Sequence, residues 1–174
     1  MRLANGSPAL VRPIRPEDGA ALRRGLKRLS PEGLVFRFLH ERQDFTDQEL
    51  YYLTHCDMVD HVGMILAILD EDGREIDQVG VARWVRDKAD PTLAEVAIVL
   101  VDEWQHQGGG QFLLRTLASA AWQGGIRRWQ AFSFAENTAI HRLLDKVGTL
   151  AYERRLGHGT IELGYDLTEP AKSS

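Results

Sequence analysis

Apolar residues recur along this chain with two alternating periods, and the switches between them mark the elements. Ala9 to Ile14 alternates, with Pro13 and Pro16 framing its end, and predicts a first strand. Arg15-Pro16-Glu17-Asp18 opens a helix: proline suits its first turn, the acids suit its dipole, and Leu22, Leu26 and Leu29 form its buried face. Ser30-Pro31-Glu32 caps a second helix, with Leu34, Phe36 and Phe38 packing inward. Thr46-Asp47-Gln48-Glu49 has the capping-box spacing and starts a third through Leu50 and Leu53. A run of strands follows. Val62 to Leu69, a turn at Glu71-Asp72-Gly73 and Val79 to Val85 predict a hairpin. After the Asp90-Pro91 loop, Leu93 to Val101 is apolar on both faces, as a central strand is.

The second half returns to mixed periods. Leu113, Leu114, Leu117, Ala118 and Ala121 form one face of a helix ending near Gly124-Gly125. Ile126 to Phe134 predicts a strand with Trp129, Ala131 and Ser133 on one side. Ala135-Glu136-Asn137-Thr138 leads into a helix through Ile140, Leu143, Leu144 and Val147, closed by Gly148. Leu150 to Leu156 and Thr160 to Leu167 predict a last hairpin around Gly157-His158-Gly159. The order predicts an α/β fold: a mixed, mostly antiparallel central sheet with helices on both faces. One domain is expected, 9–168, between a flexible N-terminus, 1–8, and a flexible tail, 169–174.

Composition narrows the classes. A chain of 174 residues can bury about 70% of its unfolded surface without a disulfide or metal staple. Cys56 is the only cysteine, which fits a reducing compartment and predicts a cytoplasmic protein. Met1 to Pro8 shows neither a secretory signal nor a membrane span. A net charge of −4 argues against a general nucleic-acid binder.

Candidate chemistry centres on Gln105-His106-Gln107-Gly108-Gly109-Gly110-Gln111, where the central strand hands over to a helix. A helix start offers free N–H groups and partial positive charge, and glycine keeps side chains away from an arriving anion. This reads as a main-chain phosphate site. A Walker loop fails, because Gln111 and Phe112 stand where Lys and Ser/Thr are needed. A dinucleotide fingerprint fails at Leu113, which occupies the third glycine position.

Gln105 to Gly110 resembles the Arg/Gln-x-x-Gly-x-Gly/Ala loop of the GCN5-related N-acetyltransferase (GNAT) family, and the element order extends the likeness over nearly the whole chain. Val11 to Asp18, Leu29 to Glu32 and Arg37-Phe38-Leu39-His40 look like the acetyltransferase domain of bacterial Pat-type protein-lysine acetyltransferases. The resemblance implies that the amides of this loop, from Gln105 through His106, Gln107, Gly108, Gly109 and Gly110 to Gln111, hold the pyrophosphate of acetyl-CoA. It further implies that backbone near Val99, Leu100 and Val101 meets the pantetheine and thioester, and that Asn137 contacts the pantetheine as well as capping its helix. The acceptor implied is a lysine on a protein such as an acyl-CoA synthetase.

Acetyl transfer to an amine needs a proton acceptor, because a lysine of pKa about 10.4 is protonated at neutral pH. Glu95 is the one ionisable side chain between Leu93 and Val101, on the face of Ala97, Val99 and Val101. Burial there would raise its pKa toward the useful range. From residues alone it reads equally as a base or a solvated strand-end glutamate; the resemblance implies the base. Leu144 stands where many family members carry a tyrosine acid. Direct attack in a ternary complex is expected, since Cys56 lies outside the loop–strand site.

Other residues carry plainer readings. His106 either touches a phosphate or is solvated. His55, Cys56 and His61 match no zinc spacing, so no metal is expected. Trp84, Trp104, Trp122 and Trp129 read as packing, and Arg23, Arg24, Lys27 and Arg28 as a solvated basic side. The expectation is an acetyl-CoA-dependent N-acetyltransferase of bacterial type, monomeric or homodimeric, with neither nucleic acid nor membrane as partner. The alternatives are a small-molecule amine acetyltransferase (for a polyamine or antibiotic), a non-catalytic acyl-CoA sensor, and a nucleotide-binding regulator.

Overall fold

The alternating stretches become the strands β1 (Ala9–Pro13), β2 (His61–Leu69), β3 (Glu75–Arg86), β4 (Leu93–Leu100), β5 (Arg128–Phe134), β6 (Gly148–Gly157) and β7 (Thr160–Leu167). The helical stretches become α1 (Gly19–Leu26), α2 (Asp47–Thr54), α3 (Gly109–Gln123) and α4 (Thr138–Leu144), with 3-10 turns at Pro16–Asp18 and Asp102–Trp104. These come from a computed structural model that describes residues 1–33 and 44–170. Leu34, Phe36, Phe38 and the Arg37–His40 stretch lie outside the described residues.

One sheet of seven strands runs β1-β2-β3-β4-β5-β7-β6. Every neighbouring pair is antiparallel except β4 with β5. The parallel pair is bridged by α3, the crossover such a connection requires. On one face Leu113, Leu114 and Leu117 of α3 pack against Leu66, Trp84, Val96 and Trp129. On the other, Leu26, Leu29 and Leu50 cluster with Leu22 and Val99, while Ile14, Ile65 and Ala67 fill the space beside them. β2 is buried on both faces, as its unbroken apolar run requires.

Several local expectations hold. Thr46 Oγ1 accepts from the Glu49 N–H while Glu49 bonds back to the Thr46 N–H. Ser30 Oγ accepts from the Gly33 N–H at 3.0 Å. Trp84 and Trp129 are fully buried, and Trp104 and Trp122 pack on the core edge.

Some details differ. β3 begins at Glu75, not Val79, and its polar start is held by ion pairs from Arg12 to Glu75 and Arg28 to Asp77. The basic side of α1 is therefore partly engaged: Arg23 pairs with Asp44 and Asp47, and Arg28 with Asp77 and Glu103. Gly148 opens β6 instead of closing α4; a Cβ there would stand 2.6 Å from the Asp166 carbonyl oxygen of the adjoining strand. The first residues fold back on the domain, with Leu3 buried and the Ala4 N–H donating to Gln107 O at 3.0 Å.

A buried ionic cluster ties β1 to the first turn and to β3. Arg12 donates to both Asp18 oxygens at 2.8 Å and to Glu75 at 2.6 and 2.9 Å, and Gln78 adds a 2.7 Å bond to Asp18. Removing one member of such a cluster strands a buried charge. Arg12→Met is expected to cost about 3–5 kcal/mol, read as a lower urea midpoint at unchanged slope. A loss under about 1 kcal/mol would mean that water replaces the guanidinium there.

Candidate functional site

β4 and β5 pair at Leu93–Arg128, Ala94–Trp129 and Glu95–Gln130, and no further. Beyond Glu95, β4 stays in register with β3 up to Leu100, and β5 stays with β7 up to Phe134. The sheet thus forks. Alternate backbone groups of a strand point to each neighbour, so the stretch from Val96 to Leu100 turns amides and carbonyls into the fork. The residue types of β4 do not mark this opening, because ladder partners are not encoded on one strand; only the family resemblance implied free backbone near Val99 to Val101.

At the open end of the fork stands the mouth of α3. Gly108 is its N-cap, with φ +83° and no side-chain cap. The Phe112 N–H reaches back to Gly108 O, but the N–H groups of Gly109, Gly110 and Gln111 donate to no protein acceptor among the described residues. Four turns of helix stand behind these free donors, adding partial positive charge. Each glycine has its own reason. Gly108 has open space around it and needs its left-handed backbone. Gly109 needs close approach: a Cβ there would lie 2.6 Å from Leu66 Cδ2. At Gly110 a Cβ would make ordinary contacts, 3.4 Å from Leu100 and 3.5 Å from Leu143. Gly109 thus carries a packing constraint in addition to its place at the helix mouth.

A cleft of about 410 Å³ lies between the end of β4, the loop before α3 and the start of α4; Gly108 to Gln111 and Glu95 are not among its lining residues. That is within the range for a small-molecule site. Val99, Leu100, Gln105, His106 and Asn137 line it, as expected. Val101 does not: it is buried toward α1. Gln107 turns its carbonyl to Ala4. Gln105 Nε2 donates to Leu100 O at 3.3 Å, tying the loop to the strand end. Asn137 sits at the N-cap of α4 but makes no capping bond, so its amide is left for the cleft it lines. Ser30, read in the sequence as a helix cap, and Arg142, which no motif singled out, also line the cleft. Ser30 is placed by its N–H bond to Asp102 Oδ2 at 3.2 Å.

Glu95 stands at the vertex of the fork, the last β4 residue paired with β5. It is exposed, so the burial on which the sequence reading relied is absent. Beside it on the same sheet face, Glu162 is buried and accepts from Tyr152 at 2.6 Å, Gln130 at 2.7 Å and Arg154. These bonds, Tyr152's foremost, hold the Glu162 carboxyl below the usual carboxylate range, while Glu162 pushes the Tyr152 hydroxyl up. The Tyr152 ring lies over Gly164, where a Cβ would come within 2.1 Å of it. Tyr165 donates instead to Asp145 at 2.8 Å. Both tyrosines are sheet residues, as expected, and Leu144 is fully buried.

The remaining candidates lie apart. His55 stacks on Tyr51, and Cys56 is half-buried with its thiol pushed up by burial. His61 stacks on Tyr52 and accepts from Arg83 at 3.0 Å, burial and Arg83 together lowering its pKa. Arg83, which nothing in its strand pattern singled out, is buried with no carboxylate partner among the described residues. Among the described residues no helix is long and apolar enough to cross a membrane.

Comparison with known proteins bears on this arrangement. Residues 26–149 match the model of the Acetyltransferase (GNAT) family. The chain is 29% identical over 157 residues to acetyltransferase Pat of Mycolicibacterium smegmatis, covering 90% of this chain but 46% of that protein. It is 31% identical over 146 residues to a Pseudomonas aeruginosa acetyltransferase, covering 84% of this chain and 77% of that one. The crystal structure of the GNAT domain of S. lividans PAT superposes with a TM-score of 0.81 at 27% identity, over 96% of this chain and 95% of that one. The chain thus spans about half the length of the mycobacterial relative.

Two predictions follow the geometry. Gly109→Ala is expected to cost about 1–3 kcal/mol, because Leu66 must shift, whereas Gly110→Ala costs under about 0.5 kcal/mol. Urea denaturation of both decides; equal losses would contradict the division of roles. The depressed Glu162 carboxyl contributes stability that is present above its unfolded pKa, about 4.3, and lost as pH falls through the lower folded value. Glu162→Gln is therefore expected to flatten the decline of stability below about pH 4.3. An unchanged slope in the acid range would remove this cluster from the pH response.

Proposed function

Because the chain belongs to the acetyltransferase (GNAT) family, we propose that the fork binds acetyl-CoA and delivers its acetyl group to the side-chain amine of a protein lysine. Two observations carry this reading together: the free N–H groups at the α3 mouth and the side of β4 that has no strand partner beyond Glu95. A diphosphate fits the free N–H groups of Gly109, Gly110 and Gln111. The pantetheine lies along Val99 and Leu100, with Asn137 and His106 opposite. This places the thioester near the fork vertex.

The reaction is direct. Glu95 takes the proton of the ammonium, and its exposure leaves it open to an arriving amine. The amine nitrogen bonds to the thioester carbonyl carbon, whose oxygen gains charge and meets a strand amide. The C–S bond then breaks. With Leu144 buried where a tyrosine acid is otherwise found, water returns the proton to the thiolate.

A protein acceptor is supported by the surface beside Glu95. Phe132 and Tyr152 lie exposed on that sheet face, which offers a broad contact and not an enclosed amine pocket. The likeness to relatives named Pat supports the same reading.

Glu95→Gln tests it. The variant is expected to bind CoA like the parent by calorimetry while turnover, read as thiol release with a lysine peptide, falls about 10²–10⁴-fold. Unchanged turnover would take Glu95 out of the mechanism. Thiol release with polyamine but never with a lysine peptide would shift the acceptor to a small amine, and release with neither would favour a sensor.

A further inference from the structure

Glu95 begins a row of residues that crosses the sheet on one face. It pairs with Gln130, Gln130 with Gly164 and Gly164 with Tyr152, so the row runs through β4, β5, β7 and β6. Gly164 contributes no side chain, and the Tyr152 ring fills its place: a Cβ on Gly164 would collide with the ring. The Tyr152 hydroxyl donates to Glu162 Oε1 at 2.6 Å, and Gln130 Nε2 donates to the same oxygen at 2.7 Å. The ring is thereby fixed beside Gln130, the residue that pairs with Glu95 at the fork vertex.

A β-bulge puts Tyr152 there. Leu150 stands opposite Tyr165, but the next paired residue is Tyr152, opposite Gly164, and Ala151 is the extra one. In an unbroken ladder Ala151 would stand opposite Gly164, and Glu153 opposite Glu162. The inserted residue brings Tyr152 and Arg154, both donors to Glu162, to the face of Glu95. Three features thus converge on one ring: the bulge, the missing side chain at Gly164 and a buried carboxylate. The bulge interrupts the ladder, and the carboxylate needs its donors to be tolerated inside. Yet what they hold is not core, since Tyr152 is 44% exposed. Packing alone does not account for a ring held this firmly and left this open to solvent.

We propose that Tyr152 is an acceptor-binding platform: the acceptor lysine lays its aliphatic stem across the ring and over Gln130, and its nitrogen reaches Glu95 along the row. The inference rests on the reading of Glu95 as the base and of a lysine as the acceptor. Neighbouring strands lie about 4.8 Å apart, so three spacings put the Cα atoms of Tyr152 and Glu95 roughly 14 Å from each other. The ring covers part of that span by lying over Gly164. The rest suits a long unbranched amine better than a short one. The face of a tyrosine ring also attracts an ammonium that still holds its proton. Phe132, exposed one pair further along β5 on the same face, adds a second apolar wall.

Steady-state kinetics with acetyl-CoA and one lysine peptide test this in the parent chain, Tyr152→Ala, Gly164→Ala and Tyr152→Phe. Tyr152→Ala removes the ring, and Gly164→Ala keeps it in the chain but drives it off the sheet. Both are expected to raise KM for the peptide about 5–30-fold, with a smaller change in kcat and none in KM for acetyl-CoA. Tyr152→Phe, which keeps the ring and loses the bond to Glu162, is expected to fall between the parent and the alanine variants. The parent is expected to prefer the lysine peptide about tenfold over its ornithine counterpart, one methylene shorter, and Tyr152→Ala to narrow that preference to about twofold. A merely structural Tyr152 would lower the urea midpoint without moving the preference. If Tyr152→Ala does not fold, Gly164→Ala carries the comparison. A peptide KM that stays at the parent value, or a lysine preference that survives displacement of the ring, overturns the inference while leaving the acetyltransferase reading standing. A parent that acetylates no lysine peptide overturns both.

Discussion

The fork between β4 and β5 is the constraint on which the rest depends. Three parallel residue pairs hold the two half-sheets together at Leu93, Ala94 and Glu95; past them each half keeps its own antiparallel partner. A continuous ladder would satisfy every backbone group of β4 and leave nothing for a ligand. By parting, the strands expose polar backbone inside an otherwise apolar sheet, which is tolerable only where water or a ligand replaces the missing strand. Packing holds the gap open. Leu100 and Leu143, from β4 and α4, both meet at Gly110, so α4 braces the side that β5 has left.

The α3 mouth extends that logic. Its free donors are aligned with the strand edge because β4, the 3-10 turn at Asp102–Trp104 and the helix follow one another directly in the chain. Leu66 beneath Gly109 fixes how near the helix start comes to the sheet, and Gln105 clamps the loop to Leu100. The site is thus made largely of main chain positioned by core packing. Side chains with chemistry are few: Glu95 at the vertex, Asn137 with an unengaged amide, and His106 on the loop.

Much of this was legible in the residues, and the exceptions share a cause. Apolar periodicity revealed the strands, the helix faces and the strand-to-helix handover, because burial acts on every residue of an element. Glycine spacing located the start of α3. Hidden from the sequence were features that depend on a partner elsewhere in the chain. The polar half of β3, Glu75 to Gln78, does not look like a strand until Arg12 and Arg28 arrive to pair with it. Asn137 looked like a cap, yet its side chain leaves the helix end alone. The buried Glu162, with donors from Gln130, Tyr152 and Arg154, is built from two other strands, β5 and β6. Glu95 was legible as the lone acid of its strand, but its exposure was not, because among the described residues the helix cluster on this face meets β4 at Val99 and not at Glu95.

The most direct test is where CoA sits. A crystal structure of the CoA complex is predicted to show the diphosphate against the amides of Gly109, Gly110 and Gln111, the pantetheine between β4 and α4, and the sulfur at the fork within reach of Glu95. CoA bound outside the fork, or a diphosphate held by side chains away from the α3 mouth, would contradict the account.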